Sequence, residues 1–380
     1  MNKPIKIYGA QYIEDLALEQ FFSAMEMDFS VRGAVMPDAH PGYALPIGGV
    51  VATDNVLVPA WVGYDEGCGV CAFKTAFDHR LIRSHATEIY NQIYWDVPTG
   101  FFRHQEQQEY DWKSVPHTPF LAAKYREINA SQQLGTLGGN NHFIEIGVDS
   151  KGDVWIVVHS GSRKIGHDVA YHYMCVASDS DKAKEGHYGL YVDTDAGKDF
   201  FMDLNFCLTW ALENRKRMVQ LVLNAISSVL GFGAEQCGQL INRNHNHAEY
   251  NKHMGLYIHR KGATHAEAGM LGVIPGNMRD GSYIVRGKGD PASLYSSSHG
   301  AGRVGSRKHA RDTIDLEDFQ NQMEGIKVFV DKKTVDEAPD AYKNIADVMS
   351  EQLDLVSIID HIITLICIKD RKEKKRKGGR

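Results

Sequence analysis

Apolar positions along the chain recur at two periods, and each period predicts one kind of element. Short runs dominated by Val, Ile, Leu and Phe read as strands at 48–52, Phe143–Val148, 154–159, 283–286 and 365–369. Segments with apolar residues three and four apart read as helices at 81–95, 119–133, 204–230 and 341–359. The clearest is 204–230, which Gly231 stops. Strands and helices interleave without a regular strand–helix–strand period. That predicts an α+β fold with mixed sheets and surrounding helices rather than a doubly wound sheet. No internal repeat or long low-complexity linker divides the chain.

A length of 380 residues with 43% hydrophobic content suits one large core or two fused lobes. No apolar run approaches the ~20 residues that span a bilayer. Met1-Asn2-Lys3-Pro4 opens no signal-peptide stretch. The expectation is a cytoplasmic protein with no membrane association. In a reducing compartment the six scattered cysteines are not a disulfide framework. The 18 histidines change the picture more, because many sit beside Gly, Asn or Ser rather than on helical faces. The formal charge of −6 is unevenly spread. Residues 369–380 carry eight Lys/Arg against two Asp/Glu, net +6, on a body of 34 basic and 46 acidic residues, net −12. An acidic body with a basic tail suits a charged metal site plus an RNA-attracting appendage, while the bland reading is a solvated tail.

Candidate chemistry concentrates in glycine-flanked loops such as Asp38-Ala39-His40-Pro41-Gly42. In Gly63-Tyr64-Asp65-Glu66-Gly67-Cys68-Gly69-Val70-Cys71 a carboxylate and a thiolate three residues apart can converge on one cation. Thiolate can bridge metals, and Asp suits a hard ion such as Mn²⁺. A structural zinc site would need a second Cys/His pair, and a thioredoxin-like pair would start a helix in a βαβ unit. Neither is evident, and Cys71 reads as a buried small hydrophobe. The run Gly138-Gly139-Asn140-Asn141-His142-Phe143-Ile144-Glu145 offers an amide, an imidazole and a carboxylate beside a flexible backbone. His159 ends an apolar strand, and Arg163 follows a small-residue turn. In Asn244-His245-Asn246-His247 one imidazole is a metal candidate and Asn246 a nucleotide contact. His299-Gly300-Ala301-Gly302-Arg303, with Arg307 beyond, can be a nucleophile with phosphate clamps. Pro275-Gly276-Asn277-Met278 and Ser282 form a further polar turn. Asp, Cys and three His make a two-metal constellation suited to phosphoryl chemistry, with one His left free beside two Arg. A structural reading of each motif, as a capped loop or a satisfied core histidine, stands beside the functional one.

In order and wording these motifs, from Met36-Pro37-Asp38-Ala39-His40 to Ile368-Lys369, resemble the RtcB family of RNA-splicing ligases. The resemblance implies a single-domain fold over 1–369 around a dinuclear Mn²⁺ centre, with 370–380 as a basic tail. Asp65, Cys68 and His142 would hold one Mn²⁺; Cys68, His159 and His245 would hold the other, with the thiolate bridging. His299 would be guanylylated by GTP. Asn141, Glu145, Asn246, Pro275, Gly276, Asn277, Met278, Ser282, Gly300, Ala301, Gly302 and Lys369 would contact guanylate. Arg163, Arg303 and Arg307 would surround phosphates. A carboxylate such as Glu145 would orient His299. The implied reaction joins RNA 3′-phosphate or 2′,3′-cyclic-phosphate ends to 5′-hydroxyl ends through an RNA–guanylate intermediate, with an archease-like activator as a further partner. Asn277, Asn140 and Asp370 depart from the common family pattern. They point to a divergent, shorter paralogue of the kind associated with repair of cleaved ribosomal RNA. A two-metal phosphodiesterase, using water in place of His299, is the rival activity, and a non-catalytic RNA binder is the other alternative.

Overall fold

The computed structural model describes residues 3–233, 238 and 240–371. Residues 372–380, most of the basic tail, and Cys237 lie outside them. The fold is α+β, built on two larger sheets. A seven-stranded antiparallel sheet runs in the order Leu271–Pro275, Ser282–Gly287, Val356–Ile368, Phe143–Val148, Asp153–Ser160, Gly69–Asp78, Ile241–Asn244. A five-stranded sheet runs Ile5–Ile7, Ser30–His40, Ile47–Thr53, Leu256–Lys261, Asn246–Asn251. The chain crosses from the edge of one sheet to the edge of the other at His245. A two-stranded ladder of Ala263–His265 with Ser296–Ser298 leads into His299.

Antiparallel register decides where the chemistry gathers. Gly69 pairs with both Ser160 and Asn244, and Phe143 pairs with His159. The residues just before Gly69 and Phe143, and just after Asn244, therefore emerge at one end of the sheet, beside His159. Lys369, one residue past Ile368, emerges there too, because Ile368 pairs with Ile144.

The helix Asp195–Leu230 packs along this sheet. Thr194 caps it by accepting from the Gly197 amide, and Gly231, at φ 77°, ends it. Phe200, Leu204, Trp210, Met218, Val222 and Ile226 form its buried stripe. The same stripe buries Asn214 and Arg215. Arg215 Nη1 donates to Gly67 O (2.9 Å) and Ser160 O (2.8 Å), Nη2 to Asn244 Oδ1 (2.6 Å) and Nε to Asn242 Oδ1 (2.7 Å). Burial lowers its pKa to about 10, so it remains a cation at neutral pH. Asn214 accepts from the amides of Gly135 (2.7 Å) and Thr136 (3.1 Å) and donates to Thr136 O and Gly161 O.

Several elements differ from expectation. The 341–359 helix is a short helix, Ile345–Ser350, followed by a strand from Val356. Asn344 caps the helix, and the β-branched run Val356-Ser357-Ile358-Ile359 extends because Ser282–Gly287 offers it a ladder. The expected strand at 365–369 is the end of this longer strand. The helix 81–95 is broken at His85 into His79–Ser84 and Ala86–Asp96. The segment 119–133 is helical over Pro119–Glu127, and Asn129 in the left-handed region separates it from a 3-10 turn, Ala130–Gln133. The 204–230 helix begins a few turns earlier, at Asp195. Among the described residues no helix is long and apolar enough to cross a membrane.

Replacing Arg215 by Met keeps the buried stem and removes every donor. Carbonyls and amides left unpaired in the interior cost about 1–3 kcal/mol each. The expected result is a loss of roughly 3 kcal/mol or more in denaturant unfolding, with the melting temperature down by about 5 °C or more. Wild-type stability in that variant would show the bonds to be dispensable.

Candidate active site

A cavity of about 510 Å³ opens where the two sheets meet. At its floor Cys68 Sγ lies 3.3 Å from His142 Nε2 and 3.2 Å from His159 Nε2. His142 Nε2 is 2.9 Å from Asp65 Oδ2, and His159 Nε2 is 3.3 Å from His245 Nε2. Two groups of donor atoms converge, Asp65/Cys68/His142 and Cys68/His159/His245, and they share the sulfur. Ligands about 2.0–2.3 Å from an ion stand roughly 2.8–3.7 Å apart as the coordination angle opens from about 90° to tetrahedral, so these spacings fit bound divalent metal. Burial holds the pKa of His159 and His245 well below the usual imidazole range, keeping both in the neutral, ligating form. Burial and the Asp65 carboxylate push the Cys68 thiol well up; a cation there would reverse that balance. Gly161 is required beside Asp65, since a Cβ would stand 2.1 Å from Asp65 Oδ1.

His299 lines the cavity next to this cluster, its ring centroid 4.6 Å from that of His245. Its orienting carboxylate is Asp38, not Glu145. His299 Nδ1 is 2.7 Å from Asp38 Oδ2, which also accepts from the backbone amides of His299 (3.1 Å) and Gly300 (3.3 Å). Asp38 is fully buried. Burial raises its pKa, but the hydrogen bond and charge of His299 outweigh that and hold it below the usual carboxylate range. With Nδ1–H donated to Asp38, the lone pair resides on Nε2. Gly302, at φ 75°, lets this turn close onto Asp38, where a Cβ would meet Asp38 O at 2.1 Å.

Glu145 faces another part of the cavity. Ser282 Oγ donates to its Oε2 (2.9 Å), Oε1 has no protein partner, and burial pushes its pKa up to about 8. Asn141, Asn246, Pro275, Gly276, Asn277, Met278, Gly300, Ala301, Gly302, Arg303, Arg307 and Lys369 also line the cavity. Ser282 is buried behind Glu145. Arg163 is not a lining residue: its Nε donates to Thr136 Oγ1 (3.0 Å) and its Nη2 to Gly100 O (2.5 Å), bracing the loop before His142. Its backbone, at φ 63° and ψ −147°, is strained for a residue with a side chain.

Arg303 and Arg307 do not share a helix face, because the helix begins only at Arg307. They meet instead on Glu337, a residue that carried no assignment. Glu337 pairs with Arg307, with Arg303 (3.6 Å) and with Lys369 (2.9 Å), and it accepts from Tyr342 Oη (2.6 Å). Burial raises its pKa, but Lys369 and Arg307 outweigh that and bring it to about 2. The Arg303 guanidinium nitrogens are buried without hydrogen-bond partners, so Arg303 has donors to spare for an anion. Asp38 lies in the glycine-flanked run Asp38–Gly42, which stands out in the sequence without showing a role for the acid, whereas Glu337 lies in an Asp-Glu-Ala-Pro turn that offers only a weak signal.

A third donor group, His247, Glu249 and His265, lies within ligand distance. Arg260 already donates to His247 Nε2 (3.1 Å) and Glu249 Oε1 (2.5 Å), and a guanidinium at that position makes the group an ion-pair network.

The family model described as tRNA-splicing ligase RtcB matches residues 20–118 and 113–370. The chain belongs to the RtcB family. It is 34% identical to the RNA-splicing ligase RtcB of Escherichia coli K12 over 403 residues, 97% of this chain and 98% of that protein. It is 26% identical to the tRNA-splicing ligase RtcB of Thermococcus kodakarensis over 443 residues, 92% and 91% of the two chains. The aligned spans cover the loops that carry every candidate ligand of this family member.

If the Cys68 sulfur bridges two metals, Cys68→Ser lowers the divalent metal bound per chain by about half or more, since a hydroxyl bridges more weakly than a thiolate. Cys71 is buried in the core and its sulfur faces Arg215 O. Cys71→Ser should retain wild-type metal content by elemental analysis, and the reverse pattern would move the ligand to Cys71.

Proposed function

We propose that this chain is a GTP- and Mn²⁺-dependent RNA ligase that joins 3′-phosphate or 2′,3′-cyclic-phosphate RNA ends to 5′-hydroxyl ends. The reading rests on one observation above the others: a histidine whose Nδ1 is held by a buried carboxylate stands beside a five-residue ligand cluster without belonging to it. A carboxylate on Nδ1 orients metal ligands and nucleophiles alike; it is the absence of His299 from both donor groups that leaves its Nε2 available as a nucleophile.

In this reading His299 Nε2 attacks the α-phosphorus of GTP. The N–P bond forms as the bond to pyrophosphate breaks, and Asp38 stabilises the positive charge that builds on the ring. Manganese bound by Asp65, Cys68, His142, His159 and His245 would supply charge neutralisation at phosphoryl oxygens. Arg303, with free donors, and Arg307 steady phosphate oxygens. Glu145, held from behind by Ser282, and Lys369 contact the guanine. Asn141, Asn246 and the turns 275–278 and 300–302 frame the rest of the nucleotide, and Arg163 positions the loop that carries His142. His299 then passes guanylate to the RNA 3′-phosphate, and the 5′-hydroxyl displaces GMP. The chain works in tRNA splicing or RNA repair in the cytoplasm, including cleaved ribosomal RNA, with an archease-like activator. Residues 1–369 act as one catalytic unit and the basic tail aids RNA capture.

The test is mass measurement of the denatured protein after incubation with GTP and Mn²⁺. One guanylate per chain is expected. His299→Ala should form none while retaining metal. Asp38→Ala should slow adduct formation by roughly 10²–10⁴-fold, the range for losing a group that holds an imidazole in its reactive tautomer. Phosphodiester hydrolysis with no adduct on the wild-type protein would replace this reading with a two-metal phosphodiesterase.

Glu145 adds a pH dependence. Guanine presents N–H donors, so its recognition requires the carboxylate, while burial keeps the empty site protonated up to about pH 8. Binding releases that proton, and guanine-nucleotide affinity should therefore rise as pH increases from 6.5 toward 8.5. Glu145→Gln should bind more weakly and lose that slope in calorimetry. An unchanged slope would assign the titration to another group.

A further inference from the structure

The guanylate reading accounts for the flank of the cavity that belongs to the seven-stranded sheet. The other flank comes from the five-stranded sheet and the loops at 41–46 and 63–65, and it is lined by Tyr43, Tyr64 and Lys261. Tyr43 is 58% exposed, on the loop between Ser30–His40 and Ile47–Thr53. Its ring packs in no hydrophobic core cluster. The Lys261 ammonium sits over the ring, 5.4 Å from its centroid. Lys261 is itself buried and donates to Ala60 O (3.2 Å). The Tyr64 ring meets Tyr43 edge-on at 6.1 Å and 86°. Tyr64 is fixed in turn by stacking on His167 (5.0 Å, 21°). It precedes Asp65, a member of the ligand cluster. A flat ring, backed by a cation and braced at its edge, thus stands open beside the metal ligands.

We propose that Tyr43, braced by Tyr64 and backed by Lys261, is the stacking platform for the last base of the RNA strand whose 3′-phosphate enters the site. The proposal rests on the RNA-end reading above. Every nucleobase offers a π face, so an exposed tyrosine binds single-stranded RNA without selecting sequence. Lys261 adds positive charge where a phosphodiester must pass. The 3′ strand is the occupant because its terminal phosphate must lie within reach of His299, which shares the cavity with Tyr43, and this brings its own nucleoside to the flank not taken by guanylate. A 5′-hydroxyl end carries no terminal phosphate to anchor it there.

The test uses full-length protein with Mn²⁺ and without GTP, so that nothing turns over. The probe is a short single-stranded RNA with a 3′-phosphate and 2-aminopurine as its last base. Wild type and Tyr43→Phe should quench its fluorescence on binding. Tyr43→Ala should bind roughly 5- to 100-fold more weakly and lose the quench, the span expected for one base–aromatic stack. Making the last nucleotide abasic should weaken wild-type binding by a similar factor, with Tyr43→Ala adding little further loss. Wild-type binding and quenching in Tyr43→Ala would overturn the platform. A Tyr43-dependent quench seen only with 2-aminopurine on a 5′-hydroxyl end would overturn its assignment to the 3′ strand. Adduct yield with GTP, measured on the same preparations, separates the two readings. Tyr43-dependent quenching by a wild-type protein that forms no adduct would support the platform and reject the ligase reading. Adduct formation together with quenching indifferent to Tyr43 would do the opposite.

Discussion

The buried guanidinium of Arg215 is the constraint on which the rest of this structure depends. Its bonds end on the residue before Cys68, the residue after His159 and the residue before His245. One cation on one helix thereby sets the relative position of three loops that arrive from distant parts of the chain. Asn214, its neighbour, does the same for the Gly135–Thr136 turn and Gly161. Burying a charge in a helix stripe is costly unless its donors are met, and here backbone and amide oxygens take four hydrogen bonds from the guanidinium. The helix and the loops therefore support one another through these bonds, in addition to the apolar stripe that packs the helix on the sheet.

That rigidity holds the candidate donor atoms together. Neutral imidazoles and a thiol can pack at about 3.3 Å without a cation, whereas several carboxylates could not. The cluster holds a single acid, Asp65, against His142. His299 stands just outside, held by Asp38 rather than by a metal. His299 thus differs from the three clustered imidazoles in contributing no atom to either donor group.

Elsewhere in the cavity Glu337 draws Arg307 and Lys369 to itself and leaves Arg303 with spare donors. An internal carboxylate keeps the cations ordered and lessens the mutual repulsion of three positive groups in a low-dielectric site. Asp370 is held just past Lys369, where Thr99 donates to it and it packs against Gly100 and Gly139. Arg371 lies over the Tyr94 ring. The first residues past Lys369 are therefore packed on the body of the protein.

The sequence by itself determined the mixed fold class, the strands at 143–148 and 154–159, and the loops that carry Asp65, Cys68, His142, His159, His245 and His299. Such residues stand out because imidazoles, thiols and carboxylates among glycines have few structural uses, and because short β-branched runs have a local preference. Only the tertiary structure decided that Asp38 rather than Glu145 holds His299, that Glu337 gathers the arginines, and that Arg215 and Asn214 tie the loops together. It also turned the expected helix at 341–359 into a short helix and a long strand, because a strand needs a partner and Ser282–Gly287 supplies one. The physical reason is common to all of these. Hydrogen bonds between residues hundreds of positions apart, such as Asp38 and His299, leave no periodicity in the chain and exist only once the sheets have brought their ends together.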